Sequence, residues 1–241
     1  LNSFLRLNLN IWTQAITRWV NSVAWAACGQ LVVDEDLLDG RACYAALDLS
    51  EIYDLTTLEL VFPPDEDVPY YRSKSYFWLP ADNMYERVSK ANVPYDVWTR
   101  QGYIELTPGN VVDYDFIVAK LEDEIAPRYR IVECAYDRWG ATKVIQQLQN
   151  IFGEEWVVPM GQGFVSMSPP MKELGVLIAQ KRLGHGNNPV LNWMADNLVA
   201  VEDAAGNIKP DKAKSKEKID GMVGLIMALD RATRQEGSSK Y

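Results

Sequence analysis

The sequence predicts an α/β domain, built on a mixed sheet that begins with an antiparallel hairpin and is flanked by helices. Two segments rich in strand-forming residues, ACYAALDL at 42–49 and LTTLELVF at 55–62, are separated only by a short polar turn, which is typical of a hairpin. Downstream, helical and strand patterns alternate, and no internal repeat or long linker interrupts them. This order indicates one sheet with one core.

The predicted elements follow from local patterns. Large apolar side chains three or four positions apart run from Leu5 to Ala27, as on one face of an amphipathic helix. Pro63 and Pro64 end the second strand, because proline has no backbone N–H for the sheet. The other predicted elements are a strand at 75–79, a helix at 113–125 capped by Asp113, a strand at 130–136, a helix at 141–152, a strand at 156–159, helices at 171–183 and 190–197, a small hairpin or extended loop at 198–208 and a last helix at 215–234.

Charge and composition exclude several classes of protein. The chain has 241 residues, with 24 Lys and Arg against 33 Asp and Glu, and a formal net charge of −9. That charge argues against a general nucleic-acid coat protein or a polybasic membrane binder. Three cysteines without a CxxC pair are expected to be buried thiols, and the single histidine, His185, excludes any metal centre or catalytic triad that needs two. No stretch reaches the roughly 20 apolar residues that span a bilayer.

The charge is unevenly distributed along the chain. Residues 31–70 hold eleven acids and one base, whereas residues 205–241 hold eight bases and five acids. Five of these bases precede the predicted last helix: Lys209, Lys212, Lys214, Lys216 and Lys218. Such a run is usually a solvated loop, and contact with a polyanion becomes the better interpretation only if a reactive site lies nearby.

Three aspartates lie where a carboxylate is unfavourable without a partner. Asp48 interrupts the first apolar strand, Asp137 closes the strand at 130–136, and Asp220 lies beside the apolar face of the last helix. Each has an ordinary alternative: a strand end, a helix N-cap, and a surface acid paired with Lys216. Because buried carboxylates without cations protonate or repel one another, the three together predict a site for Mg²⁺ or Mn²⁺. Two such ions about 4 Å apart activate water and stabilise the leaving oxygen of a phosphodiester.

Two glycines, Gly221 and Gly224, lie close to Asp220 inside the predicted last helix. A glycine costs about 1 kcal/mol relative to alanine in a helix interior, so the pair requires a reason. The glycines either clear space beside Asp220 for ions or substrate, or allow the helix to pack closely on the sheet. The sequence does not separate these alternatives.

Other polar residues are weaker candidates for the site. The candidates for indirect support of the ions are Ser50, Asp54, His185 and Asp196. Ordinary roles are preferred for three of them: the hairpin turn for Asp54, a loop hydrogen bond for His185, and a helix surface or cap for Asp196. Arg138, which follows the strand at 130–136, is a candidate for contact with a nucleic-acid backbone, together with the five lysines.

Four segments carry a resemblance to a known family. ACYAALDLSEIYDLTTLELVF, AYDRWGA, HGNNPVLNWMADN and NIKPDKAKSKEKIDGMVGLIMAL resemble, in this order, the carboxy-terminal nuclease domain of the large terminase subunit of tailed bacteriophages. The resemblance implies a ribonuclease H-like fold with a two-metal carboxylate site, whose acids fall on Asp48, Asp137 and Asp220. It also implies that residues 39–241 form the nuclease domain, and that residues 1–38, with NIWTQAITRW, form a helical connector from the family's ATPase domain.

The resemblance also implies a function. The domain is expected to be an endonuclease that cuts concatemeric double-stranded viral DNA at the initiation and termination of genome packaging, in the cytoplasm of the infected bacterial host. Its expected partners are DNA, the portal protein, the small terminase subunit and its own ATPase domain, and no membrane. No GxxxxGK[ST] motif occurs, so this sequence is expected to cut DNA without driving its translocation. Two alternatives stay open: a packaging-motor interaction module whose nuclease is latent in isolation, and a structure-specific junction resolvase.

Overall fold

The computed structural model describes residues 18–49, 55–84, 88, 93–137, 142–215 and 217–238. The helices are α1 (Ser22–Cys28), α2 (Tyr95–Arg100), α3 (Tyr114–Lys120), α4 (Thr142–Phe152), α5 (Phe164–Ala179), α6 (Pro189–Asn197) and α7 (Asp220–Ser238). The strands are β1 (Ala42–Asp48), β2 (Thr56–Phe62), β3 (Tyr71–Pro80), β4 (Glu105–Thr107), β5 (Arg130–Asp137), β6 (Val157–Met160), β7 (Leu183–Gly184), β8 (Ala200–Glu202) and β9 (Ile208–Pro210). Short helical turns lie at Asp36–Leu38, Ala81–Asn83, Leu121–Ile125, Ala126–Arg128 and Glu154–Trp156.

Seven of the described strands form one mixed sheet in the order β4-β3-β2-β1-β5-β6, with β7 also paired to β3. Strands β1, β2 and β3 are antiparallel, so the predicted hairpin that leads the sheet is confirmed. Strands β5 and β6 continue the sheet in parallel with β1. Of the two alternatives predicted at 198–208, the structure has the hairpin, because β8 and β9 pair as a separate two-stranded sheet.

Helices cover both faces of the sheet, which explains why β1 and β2 are apolar at nearly every position. On β2, Leu58 and Leu60 point to the face covered by α3 and α4, whereas Val61 points to the face covered by α5, α6 and α7. Strands buried on both faces have continuous apolar sequences rather than alternating ones. In the part of the chain that is described, no helix is long and apolar enough to cross a bilayer.

Helix α7 lies close against the sheet because of its two glycines. A Cβ atom on Gly221 would lie 2.9 Å from both Met194 Sδ and Phe77 Cε1. A Cβ atom on Gly224 would lie 3.0 Å from Glu59 Cγ. Both distances are shorter than a normal carbon contact, so close packing, rather than space for a substrate, explains the glycines.

Several predicted boundaries differ from the structure. The helix predicted at 171–183 is α5, which begins at Phe164 and contains Pro169 and Pro170. Tertiary contacts hold the turn that the prolines weaken, since Met167 is fully buried and the Ile208 N–H donates to Ser168 Oγ at 3.1 Å. Tertiary structure therefore overrides the local helix-breaking signal.

Two other predictions had mixed outcomes. The N-cap at Asp113 is confirmed, because its carboxylate accepts from the Phe116 N–H. The last helix was predicted from residue 215 but begins at Asp220. Ser215, the predicted start, belongs instead to a separate turn that begins at Asp211, since the Ser215 N–H donates to the Asp211 carbonyl at 3.0 Å. Most of the amphipathic pattern at 1–27 lies outside the described residues.

Candidate active site

The three predicted aspartates lie at the ends of their elements. Asp48 is the last residue of β1 and Asp137 is the last residue of β5. These strands are adjacent and parallel, with Leu47 opposite Tyr136, so both acids lie at the same edge of the sheet. The carboxyl ends of parallel strands are the usual place for sites in α/β proteins. Asp220 is the first residue of α7, the helix that packs across β1 and β2.

A lysine joins two of these acids directly. Lys212 Nζ lies 3.0 Å from Asp48 Oδ2 and 3.0 Å from Asp220 Oδ1. The Asp48 side chain is only 5% exposed, whereas the Lys212 side chain is 47% exposed. The ammonium therefore reaches inward from a half-exposed position to a buried carboxylate.

The electrostatics of Asp48 reflect this cluster. The pKa of Asp48 is raised to about 6, because burial and the negative charges of Asp220 and Asp137 raise it by more than Lys212 lowers it. Burial lowers the pKa of Lys212, but Asp48 and Asp220 outweigh it, so the pKa of this lysine is raised. Asp137 is thus close enough to affect Asp48 even though Lys212 bridges only the other two acids.

The donors of this cluster fit a hard divalent cation in their chemistry. Asp220 Oδ2 is buried and has no hydrogen-bond partner among the described residues. Carboxylate oxygens are the ligands that Mg²⁺ and Mn²⁺ prefer. Within the same part of the chain, however, no group of three acidic, His or Cys side chains is already arranged around a single ion position. Lys212 contacts one oxygen of Asp48 and one of Asp220, which are oxygens that an ion would use.

The turn that carries Lys212 is fixed to the rest of the molecule. The Asp211 N–H donates to the Val199 carbonyl at 2.8 Å, and the Val199 N–H donates to Ser215 Oγ at 3.3 Å. One residue earlier, the Leu198 carbonyl accepts from the Trp19 N–H at 2.9 Å. A recess of about 370 Å³ lies next to this turn, lined by Lys209, Asp211 and Lys212 among others.

The other predicted DNA-binding residues have varied environments. Lys209 Nζ lies 5.3 Å from the centre of the Phe164 ring, and Lys214 Nζ pairs with Asp211 at 3.5 Å. Lys218 lies two residues before α7. Ser50, Asp54, Arg138 and Lys216, which were all predicted candidates, lie outside the described residues.

Two candidates for indirect support of the ions have partners elsewhere. His185 is 2% exposed, stacks on Trp25 with ring centroids 4.0 Å apart, and donates from Nε2 to the Trp25 carbonyl at 2.9 Å. Asp196 forms an exposed ion pair with Arg18 at 2.9 Å. These contacts match the ordinary roles considered for both residues, a buried loop hydrogen bond and a helix surface.

Sequence reasoning missed two polar features of the site. It treated Lys212 as one of five equivalent surface lysines, although the structure turns this one inward. It also passed over Thr57, which pairs with Asp48 in the sheet and whose Oγ1 is buried without a hydrogen-bond partner among the described residues. The available signal for Thr57 was a hydroxyl within an apolar strand, which is too common to identify a site.

The fold and the acid cluster define a mixed α/β domain with a carboxylate site at the carboxyl ends of two adjacent parallel strands. Residues 1–236 match the family model described as the endonuclease domain of the terminase large subunit, and the chain belongs to this family. The predicted family is therefore confirmed, and so is the predicted mixed sheet led by an antiparallel hairpin and flanked by helices.

Individual relatives agree with this assignment. The chain is 37% identical over 231 residues to the terminase large subunit of Enterobacteria phage HK97, covering 96% of this chain and 44% of that protein. It is 32% identical over 248 residues to protein YmfN of Escherichia coli strain K12, covering 98% of this chain and 53% of that protein. The crystal structure of the HK97 large terminase matches with a TM-score of 0.80 at 35% identity, covering 95% of this chain and 46% of that chain. The chain spans about half the length of these relatives.

Proposed function

We propose that this domain is a metal-dependent endonuclease that cuts concatemeric double-stranded viral DNA when genome packaging begins and ends. One observation carries the proposal: Asp48 and Asp220 both contact the ammonium group of Lys212. Asp137 lies beside them, at the end of the adjoining parallel strand. Membership of the terminase endonuclease family supports the same function.

The residues of the site have distinct proposed roles. Asp48, Asp137 and Asp220 would hold two Mg²⁺ or Mn²⁺ ions, which supply an activated water and stabilise the leaving oxygen when they are bound. Helix α7 fixes Asp220, because its close packing on β2 leaves the helix little freedom to shift. The exposed lysines of the 209–218 segment would contact DNA phosphates and add a salt-dependent attraction.

The remaining partners are those of a packaging motor. The proposed partners are the portal protein, the small terminase subunit and an ATPase domain, acting in the cytoplasm of the infected host. The net charge of −9 opposes tight binding of DNA by this domain alone, which favours a second function as a motor module whose nuclease is latent in isolation. The inward position of Lys212 also favours latency, because its ammonium contacts the oxygens that an ion would use.

A plasmid nicking assay with Mn²⁺ or Mg²⁺ tests the proposed function. Asp220→Asn and Asp137→Asn are expected to lower the nicking rate by more than about 100-fold, since metal-ion charge stabilisation is worth several kcal/mol. Asp115→Asn is the matched control, because Asp115 is an exposed acid of α3 that pairs with Lys143. Nicking that persists with a chelator, or that survives both substitutions, would refute the metal-dependent site.

Nicking by this chain and by a longer chain that includes the ATPase domain distinguishes an independent nuclease from a motor module whose nuclease is latent in isolation. Activity in the longer chain alone would favour the motor module. Equal activity in both would favour an independent nuclease.

A further inference from the structure

We propose that Lys212 is the resident cation of the acid cluster, and that a divalent ion binds Asp48 and Asp220 only after the Lys212 ammonium has left their oxygens. The inference rests on the proposed metal-dependent function and gives this lysine a role different from the phosphate contact predicted from the sequence. It makes Lys212 the residue that sets how readily the site takes up its ions.

The first support is the shared use of the same oxygens. Lys212 Nζ lies 3.0 Å from one oxygen of each acid. An ion bound to either of these oxygens at about 2.1 Å would lie no more than about 5 Å from an ammonium that stayed in place. Two cations at that separation repel strongly beside a buried carboxylate, where water screens them poorly.

The second support is the need of the acids for a cation. Asp48 is 4% exposed and lies near the charges of Asp220 and Asp137. Carboxylates brought together in a buried site repel one another unless a positive charge lies between them. Lys212 supplies this charge in the structure. It therefore holds Asp48 of β1 and Asp220 of α7 close together until an ion replaces it.

The third support is that the ammonium can leave without unfolding the site. The backbone around Lys212 is fixed, because Asp211 accepts from Ala213 and Lys214 and donates its own N–H to Val199. The Lys212 side chain is nevertheless 47% exposed. Rotation of its four-carbon stem therefore moves the charge from the acids into solvent while the turn stays in place.

Lys214 offers a matched control on the same turn. Its side chain is 52% exposed and its Nζ lies 3.5 Å from Asp211, an acid outside the cluster. Replacing either lysine removes one positive charge from the same surface. Only the Lys212 replacement removes a charge from the proposed ion position.

Calorimetric titration of Mn²⁺ into the chain tests the inference without any cleavage. Lys212→Met is expected to bind Mn²⁺ at least about 10-fold more tightly than the wild type, since a competing charge within about 5 Å has been removed. Lys214→Met is expected to bind it as the wild type does. Equal or weaker binding by Lys212→Met would overturn the inference.

A second variant covers the case in which Lys212→Met folds poorly without metal. Lys212→Arg keeps the charge and its guanidinium can hold both carboxylates, so it is expected to bind Mn²⁺ no more tightly than the wild type. Tighter binding by this variant would overturn the inference. In thermal melts, Mn²⁺ is expected to raise the Tm of Lys212→Met by more than that of the wild type.

The outcomes separate this inference from the proposed function. If the wild type binds Mn²⁺ and Lys212→Met binds it equally, the role of Lys212 fails and the metal-dependent nuclease stands. If neither protein binds millimolar Mn²⁺, the metal site itself fails and both proposals fall.

Discussion

Two buried carboxylates on neighbouring strands have very different surroundings. Asp48, at the end of β1, is 4% exposed, and Glu59, in the middle of β2, is fully buried. Asp48 has a lysine at 3.0 Å and two acids within electrostatic reach. The Glu59 carboxylate accepts from Ser75 Oγ at 2.8 Å, and no cation contacts it among the described residues.

The comparison shows that burial alone does not identify a functional acid. Burial raises the pKa of both side chains, that of Asp48 to about 6 and that of Glu59 well above its usual value. The difference lies in the neighbours: Asp48 belongs to a charged cluster at the sheet edge, whereas Glu59 lies under α7 with the Ser75 hydroxyl as its hydrogen-bond donor. Charged partners, more than burial, distinguish a reactive acid from a structural one.

The largest expected contrast between the two acids is catalytic. Asp48→Asn keeps the size of the side chain but removes a ligand charge, so nicking with Mn²⁺ is expected to fall by more than about 100-fold. Glu59→Gln replaces one neutral, hydrogen-bonded group by another and is expected to leave the nicking rate unchanged. Initial rates on supercoiled plasmid measure both, and a comparable loss in Glu59→Gln would place Glu59 in the reaction and remove the distinction.

The next effect concerns the packing above Glu59. Gly224→Val places a branched side chain where even a Cβ would lie 3.0 Å from Glu59 Cγ, and is expected to destabilise the fold by about 2 to 3 kcal/mol. Gly175→Ala is the control, because its Cβ would lie 3.4 Å from Trp19 Cζ2, an ordinary contact, and alanine favours the helix. Urea unfolding measures both, and equal stability of the two variants would show that α7 does not depend on this close approach.

The smallest expected effect is the pH dependence of stability that Glu59 causes. Above its usual pKa of 4.5 and up to its raised value, the folded protein keeps a proton that the unfolded chain has released, so its contribution to stability falls as the pH rises. Glu59→Gln removes this loss and is expected to be more stable than the wild type at pH 8. The difference should vanish near pH 4.5. Denaturation of both proteins at a series of pH values measures this. If the free energy of unfolding changes with pH in the same way for the wild type and Glu59→Gln, Glu59 is ionised in the folded protein.

Sequence patterns predicted the centre of the sheet better than its margins. Strands β1 and β2 are buried on both faces, so their apolar sequences identify them directly. Strands β4 and β7 have three and two residues, which is too short for any pattern to emerge. The prolines of α5 predicted a helix start, but packing of Met167 on the core extends the helix before them.

Apolar runs in the sequence also pointed to the acids of the candidate site, but not to its lysine. The positions of Asp48, Asp137 and Asp220 relative to apolar runs identified them as unusual acids, and the structure brings Asp48 and Asp220 onto one lysine. The direction of Lys212 was not predictable, because it depends on the turn at Asp211 and on a hydrogen bond from that turn to the carbonyl of Val199, which belongs to a different segment of the chain. The metal-binding roles of the acids stay predictions.

The hydrogen bonds around Val199 also have a mechanical consequence. Trp19 is tied to the Leu198 carbonyl, and the next carbonyl, that of Val199, holds Asp211 immediately before Lys212. The amino-terminal segment and the lysine turn therefore share an anchor of two consecutive residues. A displacement of Trp19 would therefore reach the Lys212 turn through two main-chain hydrogen bonds and one peptide unit.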